Sequence, residues 1–62
     1  MDVELDGKIM KVENAPTVLR LLKKLSINKE IYLVIVNDRL VTEDHRLNSG
    51  DSVKLVKVVS GG

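Results

Sequence analysis

The chain has 62 residues, enough for one small domain, and no cysteine, which excludes a disulfide framework, a thiolate metal site and a cysteine nucleophile. Ten basic and nine acidic residues nearly cancel to a formal +1, and the only aromatic is Tyr32, so the basic stripe and stacking platform of a nucleic-acid binder are both missing. A single histidine makes no zinc site on its own.

Along the chain, Asp2–Asp6 (DVELD) alternates polar and apolar, the period of a half-buried strand. Asp6-Gly7 follows, a two-residue hairpin signal because both turn positions need positive φ. Residues 8–13 return as a second strand. A two-residue loop sets Val3 opposite Met10 and Met1 opposite Val12, which puts Val3, Leu5, Met10 and Val12 on the core side. Glu4 and Ile9 fall on the other side.

The period changes in residues 14–25, where Val18, Leu21, Leu22 and Leu25 recur at helical spacing. Thr17 is the expected N-cap, and Lys23 and Lys24 sit where the helix dipole favours cations. Residues 31–37 (IYLVIVN) form an apolar, β-branched run that reads as a central strand. Asn37-Asp38 is a turn before a short segment, Arg39–Val41. Residues 42–51 are polar and turn-rich, with Leu47 as an expected core contact. Residues 52–59 are the last strand. Val53 and Leu55 share its uncharged face, so Lys54, Val56 and Val58 point outward.

Strand, strand, helix, strand, short strand, strand is an α+β order. One helix covers one face of a sheet. The other face stays open and would carry a patch of Ile35, Val56 and Val58, extended by Leu33 or Ile9. Contiguous apolar surface of that kind marks binding sites, although single exposed valines are ordinary. In strand 31–37 both alternating sets are apolar, so periodicity alone does not say which set faces in.

Four segments, TVLRLLKKL (17–25), VIVNDRLV (34–41), NSGDSVKLV (48–56) and the terminal VVSGG (58–62), taken in this order and spacing, resemble the β-grasp, ubiquitin-like sulfur carriers of the ThiS and MoaD type. The resemblance implies a mixed sheet of four to five strands with one packed helix, the first and last strands lying parallel at its centre. It implies a β-grasp domain over 1–58 and a flexible tail over 59–62. It also resolves the parity of the third strand: Val34 and Val36 inward, Ile35 outward beside Val56.

The function implied is that of a carrier rather than an enzyme. A partner activating enzyme uses ATP to adenylate the carboxylate of Gly62, and sulfur then replaces AMP to give a thiocarboxylate. The carrier itself binds no cofactor and no metal. Gly61 and Gly62 have no Cβ, so the backbone can thread a narrow channel. Ile35, Val56, Val58, Val59 and Ser60 are the expected partner-contacting residues. Ubiquitin has arginine before its glycine pair, whereas Ser60 stands here, which weighs against ubiquitin-type conjugation.

The sulfur acceptor would be a synthase of thiamine or molybdopterin assembly, or a tRNA-thiolation enzyme. Two alternatives remain: a modifier joined to target lysines through Gly62, or an interaction module whose terminal glycines are an ordinary loose chain end. The chain is expected to be a cytoplasmic protein, monomeric when free, with no direct nucleic-acid or membrane contact. Glu43, Asp44 and His45 are expected to be plain surface.

Overall fold

In a computed structural model describing residues 1–58, Asp6 and Gly7 both take positive φ, 51° and 80°. That geometry matches the twist of paired strands. It folds β1 (Asp2–Leu5) antiparallel onto β2 (Lys8–Lys11), with Val3 opposite Met10 and Glu4 opposite Ile9. Beyond the strand ends, the Val12 N–H donates to the Met1 carbonyl at 3.0 Å and the Met1 ammonium donates to the Val12 carbonyl at 3.1 Å. The expected register therefore holds, although β2 stops at Lys11 rather than at residue 13.

Helix α1 spans Val18–Lys24, shorter than the 14–25 stretch that carries the helical spacing. Asn14 has φ 62° and Pro16 lacks an N–H, so neither continues a helix backward. Thr17 caps it in extended backbone, its hydroxyl accepting from the Arg20 N–H at 3.3 Å. The C-terminus closes as a Schellman motif. Ser26 takes φ 57°, its N–H donates to the Lys23 carbonyl, and the Ile27 N–H donates to the Leu22 carbonyl at 2.8 Å. Leu25 is thus the C-cap rather than a helical residue, and it packs on the core with Ile27.

Strand β3 (Tyr32–Val36) turns through Asn37 and Asp38, both at positive φ, into β4 (Arg39–Val41). Strand β5 (Ser52–Lys57) is two residues shorter than the 52–59 reading. Val58 lies past its end, and Val59 lies outside the described residues. The five strands form one mixed sheet in the order β2-β1-β5-β3-β4. β1 and β5 are parallel and the other neighbours are antiparallel. This is the β-grasp arrangement expected from the resemblance.

The core lies between α1 and one face of the sheet. Val18, Leu21 and Leu22 of the helix meet Val3, Val34, Val36, Val53 and Leu55 of the strands, all buried. Val34 stands opposite Leu55 and Val36 opposite Val53, so the β3 parity is as the resemblance implied. The loop 42–51 closes one end. Its Glu43 and His45 carbonyls accept from the Leu19 and Val18 N–H groups, at 2.8 and 3.0 Å. Those donors of the first helical turn have no partner within the helix. Leu47 is buried beneath the loop, held by its N–H to the Pro16 carbonyl at 2.9 Å.

Candidate functional site: the open sheet face

Strand alternation that buries Val53 and Leu55 turns Lys54 and Val56 to the face without a helix. The cross-strand registers then place one residue from every strand in a single transverse row there. It reads Ile9, Glu4, Lys54, Ile35, Leu40. The row is charged at its centre and apolar at both ends. Ile9 is 71% exposed and Leu40 67% exposed. Glu4 and Lys54 approach at 3.9 Å, a loose, hydrated ion pair. Ile9 and Ile35 wall a hollow of about 330 Å³ that Glu4, Lys54 and Ser52 also line.

Nearer the C-terminal end of β5, Val56 faces Leu33. They are 36% and 45% exposed. Val58 is 41% exposed, and its N–H donates to the Ile31 carbonyl at 2.6 Å, which extends the β5–β3 pairing by one residue. Ile31, Leu33, Val56 and Val58 thus make an apolar strip leading toward the terminus. One expectation needs correction. Ile35 is half-buried rather than openly exposed, and it stands across from Lys54, so the exposed apolar neighbour of Val56 is Leu33. Leu40 on its short flanking strand shields one side of Ile35.

Of the expected site residues, Val56 and Val58 lie on this strip, and Ile35 lies in the adjoining row. Val59, Ser60, Gly61 and Gly62 lie outside the described residues. Sequence reasoning missed Leu40 and Ile31. Arg39–Val41 is too short for alternation to choose a face. The signal for Leu40 was its distance of one residue from Val41, which packs against the core.

Tyr32 stands on the helix side of β3, and its hydroxyl donates to Asp6 Oδ2 at 3.4 Å, bracing β3 against the β1–β2 turn at the end where β5 finishes. Partial burial of the phenol, and secondly the Asp6 charge, push its pKa up. Glu43 pairs with Lys29 at 2.6 Å, and the hydrogen bond and charge of Glu43 raise the Lys29 pKa. The His45 backbone carbonyl accepts from the Val18 N–H at the helix start. Among the described residues, no three His, Cys, Asp or Glu side chains lie where they could hold a metal ion. No helix among them is long and apolar enough to cross a membrane.

The model of the ThiS family matches residues 2–62. No curated protein matches the sequence. Among solved structures, the chain is similar to the crystal structure of the thiamine biosynthesis protein ThiS from Geobacter metallireducens. The two share 25% identity over 100% of both chains, with a TM-score of 0.67.

Proposed function

The chain belongs to the ThiS family, and on that premise we propose that it is a sulfur carrier of thiamine biosynthesis that works through the carboxylate of Gly62. The observation that carries this reading is that the family match runs the length of the folded domain and on through Gly61-Gly62. The similarity to a thiamine biosynthesis protein supports the choice of pathway.

The chemistry explains why a domain without a catalytic centre suffices. A carboxylate resists nucleophiles because it is negatively charged. An activating enzyme joins it to AMP from ATP, with loss of pyrophosphate, and the resulting acyl phosphate anhydride has a good leaving group. A sulfur nucleophile then takes the place of AMP, leaving a thiocarboxylate on Gly62. Four extended residues reach roughly 13 Å, so the domain can stay outside while residues 59–62 enter the enzyme's site. Gly61 and Gly62 keep that segment narrow. The strip of Ile31, Leu33, Val56 and Val58 supplies the docking surface next to its base. A sulfur-accepting synthase would use the same handle.

The test is intact mass after co-expression with an activating enzyme and a sulfur source. The carrier reading expects a gain equal to exchange of one oxygen for one sulfur, reversed on incubation with the acceptor synthase. A ladder of larger lysine-linked conjugates with no such exchange would identify a protein modifier instead.

A further inference from the structure

The charged centre of the open face has a symmetry that the apolar strip lacks. In the row Ile9, Glu4, Lys54, Ile35, Leu40, a line parallel to the strands and midway between Glu4 and Lys54 separates a carboxylate from an ammonium at equal distances. Ile9 and Ile35 then stand at equal distances further out. Rotation of a second copy by 180° about that line lays its face on the first. Glu4 then meets Lys54 of the second copy, Lys54 meets its Glu4, and Ile9 meets its Ile35 at both walls. Rotation about the perpendicular line would set Glu4 on Glu4 and Lys54 on Lys54, and like charges directly opposite repel. The pattern therefore selects one two-fold axis.

We propose that the open face docks a second copy of this chain across that axis, with Glu4 and Lys54 exchanging partners between copies. Facing sheets pack about 10 Å apart, a gap that a lysine and a glutamate side chain span together. The hollows of the two copies close into one chamber, walled by the isoleucine pairs, holding the two crossed ion pairs and lined also by Asp2 and Asp38 of each copy. Little is lost in breaking the internal pair, since at 3.9 Å and in contact with water it contributes little on its own.

The size of the contact sets its strength. Across that axis β2, β1, β5 and β3 overlap and β4 extends past the partner's edge, so four strands by three residue rows cover roughly 400 Å² per copy. A stable pair needs about 800 Å² per partner. Association is therefore weak and transient, and the chain is monomeric when dilute. This inference does not depend on the carrier reading, and its test contains no enzyme and no ATP.

The experiment is sedimentation equilibrium of the full chain up to about 1 mM, with fold checked by circular dichroism. The wild type dimerises and weakens as salt rises. Glu4→Lys and Lys54→Glu each weaken self-association by about tenfold or more, because two attractive contacts become two repulsive ones. An equimolar mixture of the two variants pairs with each other at least as tightly as the wild type pairs with itself. The double exchange Glu4→Lys with Lys54→Glu restores self-association. Glu4→Gln and Lys54→Gln replace any reversal that unfolds the domain, and each still weakens association. A wild type that stays monomeric at about 1 mM overturns the proposal. So does a mixture that fails to pair, or a dimer of equal strength in every variant.

Discussion

Asn37 and Ser52 hold each other by two hydrogen bonds: the Asn37 N–H donates to the Ser52 carbonyl at 2.9 Å, and the Ser52 N–H donates to Asn37 Oδ1 at 3.1 Å. The Asn37 amide also donates to Asp51 Oδ1 at 3.0 Å. One side chain thus fastens the β3–β4 turn to the residues that lead into β5, the central strand of the sheet. Asn37 further takes φ 50°, a conformation asparagine tolerates better than most residues. Asn37→Ala loses both the side-chain bonds and the backbone preference, and should destabilise by about 1–2 kcal/mol in urea denaturation. Asn37→Gly keeps the backbone preference and should cost less. Equal losses in the two variants would show that the φ angle contributes nothing.

Acid should loosen the same junction. The Asn48 N–H donates to Asp51 Oδ2 at 2.8 Å, and this bond, followed by that from the Asn37 amide, lowers the Asp51 pKa. The unfolded chain therefore takes up the proton more readily. Stability from this group is fully present at neutral pH and begins to fall below about pH 5. It is lost as pH drops through the folded value, which lies below 3.8. Asp51→Asn should lower the melting temperature at pH 7 and flatten its decline between about pH 5 and pH 3. A residual slope should persist from Asp44, which the Thr42 hydroxyl holds low in the same way. An unchanged slope in Asp51→Asn would assign acid sensitivity elsewhere.

The parts of this fold legible in the sequence are those set by local chemistry. Asp6-Gly7 dictates a tight turn and hence the Val3–Met10 register. Thr17 marks the helix start because its hydroxyl has an orphan N–H to satisfy. Lys54 between Val53 and Leu55 fixes which face of β5 is wet. Strand β3 was opaque for the opposite reason: Leu33 and Ile35 are as apolar as Val34 and Val36, so alternation carried no information and only family resemblance chose the face. Ile35 fell short of its expected exposure because exposure depends on Leu40, a neighbour brought in by tertiary pairing. The transverse row with Glu4 beside Lys54 was invisible for the same cause. The resemblance implied that β1 and β5 lie parallel but not their register, which sets residues fifty positions apart side by side.

Val56 and Leu55 are adjacent in sequence and should behave oppositely. Val56 lies on the open face, so Val56→Asp should change stability by no more than about 0.5–1 kcal/mol. Leu55 is buried against Val34, and Leu55→Ala should cost about 2–5 kcal/mol. On the proposed function, Val56→Asp should instead raise the KM for the carrier in ATP–pyrophosphate exchange by the activating enzyme, with kcat little changed. An unfolded Val56→Asp would contradict the strand parity. A folded variant with unaltered KM would move docking away from the Leu33–Val56 strip.

Removal of Gly61 and Gly62 separates the fold from the chemistry. Every buried apolar residue among those described lies between Val3 and Leu55, so the shortened chain should melt at the temperature of the full one. Its new terminal carboxylate, on Ser60, would nonetheless stop roughly 6–7 Å short of the reacting phosphate. Misplacement by about 1 Å can already cost a hundredfold in rate. Exchange of pyrophosphate into ATP should therefore vanish, and no added copy of the activating enzyme should recover it. Gly62→Ala keeps the reach and adds one methyl group inside the channel, so it should retain measurable but reduced exchange. Undiminished exchange by the truncated chain would refute activation at Gly62 and make the glycine pair an ordinary chain end. Loss of exchange together with loss of the fold would instead show that the terminal residues support the domain, and the thermal measurement separates the two outcomes.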